Sequence, residues 1–199
     1  MTQTSTLPVI SSDQRIIHSD ITWQQFKLIQ KGFSEARKVR LYYYDNVLEI
    51  LMPGRDHEFF KTIIGLLIEL FCLETRTEFE PLGSTTQEKE GEVSAEPDES
   101  YAFGKSKPKP DLVIEVIFTS GGPSKLKRYQ ALSIPEVWLW QEGMFSLYRL
   151  QESGYQAINS SEIPELSTLK INLLTRCVLI AQTSRLEAAD TFRSGLKNT

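Results

Sequence analysis

The sequence predicts an α/β (α+β) protein, a mixed β-sheet flanked by helices, from three observations. The run DLVIEVIFT, residues 111–119, is a β-rich aliphatic stretch bounded by turn residues, the pattern of a buried strand. Residues 57–73 set Phe60, Ile63, Ile64, Leu67, Leu70 and Phe71 on a single helical stripe. Around these two segments the chain runs helix, strands, helix, strand, helix, strands, an order that implies a mixed sheet covered by helices.

Residues 1–20 are polar and aperiodic and read as a flexible N-terminal arm, with 21–199 forming one domain. Thr22 and Gln25 have capping-box spacing, and Trp23, Phe26, Leu28 and Ile29 then predict an amphipathic helix to about Ala36. VRLYYY and VLEILM are joined by Asp45 and Asn46 and read as a hairpin, closed by Pro53 and Gly54. Asp56 is the expected N-cap of the helix over 57–73. Between 77 and 103 the strand candidates are TEFEPL and SYAF, and Gly104 to Lys109 is a turn by composition. After the DLVIEVIFT strand, Ser120 to Pro123 form a turn and SKLKRYQAL a helix. VWLWQE, MFSLYRL and YQAINS follow as antiparallel strands, and a helical tail begins near Leu169.

Composition removes several classes of function. With 22 basic against 26 acidic residues the net charge is -4, so no overall field draws the protein onto nucleic acid or an anionic membrane, and a nucleic-acid partner would need a local basic patch. Cys72 and Cys177 stand in aliphatic settings without metal-ligand spacing and read as buried thiols. The N-terminal residues lack the charged and apolar regions of a signal peptide, and no run approaches a membrane span; a soluble, cytoplasmic protein is expected.

Chemistry enters with Glu115. Strand alternation puts Asp111, Val113, Glu115 and Ile117 on one side and Leu112, Ile114, Val116 and Phe118 on the other. The second side is wholly apolar and predicts a central strand under a helix, with Glu115 flanked by Val113 and Ile117 on the opposite face. A buried carboxylate must be paired, protonated or bound to a cation. Pro-Asp occurs twice nearby, at Pro97-Asp98 and Pro110-Asp111. Four residues of extended chain hold Asp111 roughly 13 Å from Glu115, too far for two ligands that must each lie within about 2.5 Å of one ion. Asp98, past a turn, can return on an adjacent strand beside Glu115. Two acids converging from neighbouring strands suit a Mg²⁺ site for phosphodiester hydrolysis, completed by a lysine that orients the nucleophile and neutralises the transition state.

The stretches YYYDNVLEILMPGRDHE, EPDESYAF and PDLVIEVIFTSGGPSKLKRYQALSIPEVW resemble the Uma-type restriction endonucleases, a branch of the PD-(D/E)xK nuclease superfamily, over roughly Trp23 to Tyr155. The resemblance implies a restriction-endonuclease-like fold, with Asp98 and Glu115 as metal ligands for Mg²⁺ or Mn²⁺. It also implies a lysine two positions after the second acid, where this chain has Ile117. Lys125, four residues before Tyr129 and in the helix directly after the strand, is the candidate migrant; its position near a helix N-terminus is locally unfavourable for a cation. Lys127 is rotated about 200° away from it. Glu58 is the candidate for the glutamate that the superfamily often adds from its first long helix, although an acid in a first helical turn also serves the dipole.

Structural readings stand beside the functional ones. Glu115 is otherwise a buried ion pair, for example with Lys125, and Asp98 is otherwise a turn residue. Asp111 serves turn chemistry after Pro110, His57 is a packed and hydrogen-bonded histidine, and Lys105, Lys107 and Lys109 form a solvated loop able to touch phosphates. Trp138 and Trp140 are packing residues of a strand. The expectation is a Mg²⁺-dependent endodeoxyribonuclease acting on DNA as a homodimer; the alternative is a nuclease-fold module that has lost catalysis and binds or interacts.

Overall fold

The computed structural model describes residues 12–36, 38–104, 107–118 and 122–197, with the side chains of residues 122–124 left aside. The expected turn over Ser120 to Pro123 and the position of Lys105 therefore fall largely outside the described residues, as do residues 1–11 of the predicted arm.

The eleven strands among the described residues divide between two sheets, where the sequence predicts one. β1 (Gln14–His18), β2 (Arg40–Tyr44), β3 (Val47–Met52), β5 (Gln87–Lys89) and β6 (Val93–Ala95) form an antiparallel sheet in the order β1-β3-β2-β6-β5. β4 (Phe79–Pro81), β7 (Glu99–Phe103), β8 (Leu112–Ile117), β9 (Glu136–Gln141), β10 (Met144–Gln151) and β11 (Gly154–Ile158) form the second, in the order β11-β10-β9-β8-β7-β4. This second sheet is mixed, because β8 and β9 run parallel while its other pairs are antiparallel. Parallel neighbours need a crossover, and α3 (Gly122–Ala131) supplies it.

Several elements follow directly from local chemistry. Asp45 and Asn46 have φ of 52° and 59°, the left-handed pair that a two-residue hairpin demands for its twist to match the strands. The Thr22–Gln25 capping box is formed, and α1 spans Trp23–Gly32, ending four residues before Ala36. The long helix α2 spans Arg55–Thr75, and its N-cap is Gly54 without a side-chain bond. Asp56, expected at that cap, lies instead in the first turn, where its negative charge complements the positive end of the helix dipole.

Two faces of the central strand meet two different cores. Leu112, Ile114 and Val116 pack with Ile64, Leu67, Ile68 and Phe71 of α2 and with α4 (Ile171–Ile180) and α5 (Arg185–Lys197). Full burial of each such aliphatic side chain is worth about 1.5–3 kcal/mol. Val113 and Ile117 face the other way, onto Tyr42, Leu51, Val93 and Ala95 of the first sheet and Tyr129 and Leu132 at α3. Glu115 therefore lies in the layer between the two sheets. The polar stretch assigned to an arm contributes β1, paired with β3 from Gln14↔Met52 to His18↔Leu48; its exposed Ile16 and Ile17 mask the pattern of an edge strand. Among the described residues no helix is long and apolar enough to cross a membrane.

Candidate functional site

β7 and β8 pair antiparallel with Glu99 opposite Ile114 and Ser100 opposite Val113. Asp98, in the bend just before β7, precedes the first of these pairs, so the chain enters the strand beside the Glu115 end of the register. The Val116 N–H donates to Asp98 Oδ2 at 2.6 Å, which carries the aspartate onto β8 itself. Both carboxylates are fully buried.

Neither acid is left bare. Asp98 Oδ1 forms an ion pair with Arg40 Nη1 and lies 2.8 Å from His57 Nε2. Glu115 receives the Lys125 ammonium on Oε2 and the Tyr129 hydroxyl on Oε1. Lys125 and Tyr129 are four positions apart, so they project from one face of α3 and take one oxygen each. The ion pair weighed against a metal site is thus present, and Lys127, one helical face away, is exposed.

A second ring of contacts fixes the first. His57, buried in α2, is held at its other nitrogen by Asp13 at 2.8 Å, so the ring spans two carboxylates and cannot turn. Asp13 also accepts the Gly54 N–H at 2.8 Å. Burial pushes the Asp13 carboxyl up, but the His57 contact and the Gly54 bond outweigh it and hold the group below its usual range. Arg40 Nη2 donates to Glu58 at 2.8 Å. Glu58 is half exposed, at 49% of its side chain, and marks the outer rim of the site. Lys61 lies beside it, 3.9 Å from Glu58 and 4.0 Å from Glu99.

Below Glu115, Glu49 binds Arg15 at 2.7 Å and Arg128 at 2.9 Å. Burial raises the Glu49 carboxyl, yet Arg128 and the Arg15 bond bring it below its ordinary value. Arg128 lies over the Tyr42 ring with 4.2 Å to the centroid, and Lys125 lies over the same ring at 5.5 Å. Burial first, then the Glu115 charge, pushes the Tyr42 phenol up to about 12. The same two causes raise Tyr129 well above its usual value.

The remaining candidates lie away from this centre. Asp111 accepts the Phe103 N–H at 2.8 Å and binds Lys107 at 2.7 Å, so it serves the turn. Ile117 is packed in the core between the sheets, and Lys109 is exposed. Cys72 and Cys177 are free and buried, and Trp138 and Trp140 are packing residues.

Asp98 and Glu115 offer the hard oxygen donors that Mg²⁺ prefers, and each is met by a cation from the chain itself, so positive charge belongs at this point. Among the described residues no group of three or more His, Cys, Asp or Glu side chains could hold an ion. Mg²⁺ does not require three such groups, since it keeps several waters and binds through one or two acids and substrate phosphates.

Asp13, Arg40, Glu49 and Arg128 were not singled out by the sequence. Glu49, in VLEILM, carries the same signal as Glu115, a charge inside an aliphatic strand. Arg40 opens a tyrosine-rich strand, and Asp13 sits in a polar stretch without periodicity, so neither announces itself.

Residues 23–175 match the family described as "Uma2: Putative restriction endonuclease". A crystal structure of "a putative nuclease belonging to DUF820" from Anabaena variabilis ATCC 29413 is similar, with a TM-score of 0.57 at 17% identity, covering 79% of this chain and 99% of that one. At that identity the likeness is one of fold. No curated protein matches the chain.

Proposed function

Because this chain belongs to the Uma2 restriction endonuclease family, we propose that it is a Mg²⁺-dependent endodeoxyribonuclease whose centre is Asp98, Glu115 and Lys125. What supports the reading is one relationship, two buried acids brought together on β8, Asp98 through the Val116 N–H and Glu115 in the strand itself, with an ammonium group on the second.

In this reading Asp98 and Glu115 hold the ion, for which Mn²⁺ can substitute. When bound, the ion supplies charge neutralisation at a phosphate oxygen. Lys125, displaced from Glu115, orients the attacking water or steadies the scissile phosphate, and its position on a helix beyond the strand replaces the side chain that Ile117 lacks. Tyr129 keeps Glu115 aimed while Lys125 moves. Glu58, at the rim, acts on the approach of substrate through Arg40. A homodimer in which each copy cuts one strand suits cleavage of duplex DNA, and the free cysteines suit the reducing cytoplasm.

The test is cleavage of plasmid, single-stranded DNA and RNA by the purified protein with Mg²⁺ or Mn²⁺. Cleavage that disappears in E115A and D98N supports the reading; equal background in all three proteins overturns it. One observation favours a second reading, a nuclease-fold binding module: every oxygen of Asp98 and Glu115 already has a donor. Calorimetry separates the two, because a module of that kind takes up no Mg²⁺ or Mn²⁺ heat that depends on Asp98.

A further inference from the structure

Arg40 lies at the start of β2, buried to 7% exposure, with its guanidinium divided between two acids of opposite situation. Nη1 is on Asp98, which is wholly inside, and Nη2 is 2.8 Å from Glu58, which is half in solvent. Asp98 Oδ2 is committed to the Val116 N–H at 2.6 Å, and Oδ1 carries both Arg40 and His57. The guanidinium is thus the cation that neutralises Asp98.

A divalent ion and the guanidinium compete for Asp98, because both bring positive charge to a carboxylate whose Oδ1 already carries Arg40 and His57. Like charges this close repel, and the repulsion doubles for a doubly charged ion. His57 gives Arg40 no inward retreat, since its ring is pinned between Asp13 and Asp98. Glu58 gives it an outward one. Glu58 is half in solvent, so a guanidinium held there offers its fork of N–H groups outward, with the bidentate geometry that matches a phosphate.

We propose that Arg40 is a resident counter-cation that competes with the divalent ion for Asp98 and, once displaced, stays on Glu58 and binds a phosphate of the nucleic acid. This rests on the nuclease reading above and adds to it a residue that sets metal affinity and couples it to substrate. A substrate phosphate that draws Arg40 off Asp98 tightens the ion, and the ion in turn frees Arg40 for the phosphate.

The experiment is titration of wild type, R40Q, R40K and D98N with Mn²⁺ by calorimetry, joined to kinetics on single-stranded DNA at saturating Mn²⁺. R40Q is expected to bind Mn²⁺ about tenfold tighter or more than wild type, a gain of about 1.4 kcal/mol. R40K keeps the charge and should fall between them. R40Q should also raise KM for DNA with a smaller change in kcat, the sign of a lost substrate contact. Should R40Q unfold, R40K carries the test, with the same direction of change in Mn²⁺ affinity and in KM. If Mn²⁺ binds wild type in an Asp98-dependent way but R40Q and R40K bind it equally or more weakly, this proposal is overturned and the nuclease reading stands. Unchanged KM in both variants overturns its phosphate half. If no variant binds Mn²⁺, both readings fail.

Discussion

Asp98, in the bend that leads into β7, accepts the N–H of Val116 in β8, the residue next to Glu115; both acids are fully buried, and each is paired with a cation from a different part of the chain. Seventeen residues separate them in sequence. Their apposition makes the stability of the layer between the sheets inseparable from the chemistry proposed for it.

The Glu115–Lys125 pair is buried at both ends. Removing one partner leaves a charge without compensation, so E115Q or K125M alone should cost about 3–5 kcal/mol. The double variant should cost less than the sum, because no stranded charge remains. Urea unfolding of the four proteins measures the coupling, and strict additivity would remove the pair from the account.

Tyr129 offers a milder probe. Y129F deletes the donor to Glu115 Oε1 without opening a cavity, and an unsatisfied buried acceptor costs about 1–3 kcal/mol. Denaturant midpoints should fall accordingly while the fold persists. With Glu115 no longer held from that side, cleavage in the proposed reaction should drop as well, which a turnover assay on the same preparation reads.

Glu99 predicts a pH dependence. Burial chiefly, with Glu69 and Glu58 adding to it against Lys61, raises its carboxyl from 4.5 to about 7. The folded state therefore holds this proton more tightly than the unfolded chain. Its contribution is fully present below pH 4.5 and is lost as pH rises to about 7, on the order of 3 kcal/mol across that window. The stability of wild type relative to E99Q, followed by urea unfolding from pH 4.5 to 7.5, should decline; a level difference would show the carboxyl to be solvated.

The hairpin turn gives a check far from the site. Asn46 has φ 59° and its side chain accepts the Tyr43 hydroxyl at 3.1 Å. N46A forces a Cβ residue without that bond into the left-handed region and should lose about 1–2 kcal/mol. N46G should lie within about 1 kcal/mol of wild type, since relieved strain offsets the added backbone freedom. Thermal unfolding distinguishes them.

Legibility in the sequence tracked how local the determinant was. The Thr22–Gln25 cap, the Asp45–Asn46 turn, the stripe of α2 and the alternation in β8 are written within a few residues and emerged as read. β5 and β6 are three residues each, too short for any period, and the division into two sheets depends on pairings such as Tyr43 with Ser94 that composition does not record. The site follows the same rule. Glu115 is conspicuous because an acid in an aliphatic strand is costly, whereas Arg40 and Asp13 owe their meaning to partners 58 and 44 residues away, Asp98 and His57.

The crossover through α3 divides the centre into halves of unequal range. Glu115, Lys125 and Tyr129 lie within one β8–α3–β9 unit, so their loop closures are short and their contacts can form together. Asp98 is held by side chains from β2 and α2, the latter itself braced by Asp13 ahead of β1, and its setting requires both sheets to have docked. A loosening of the first sheet would consequently take both side-chain donors from Asp98, while Glu115 would lose its cover but keep the two donors that α3 brings to it.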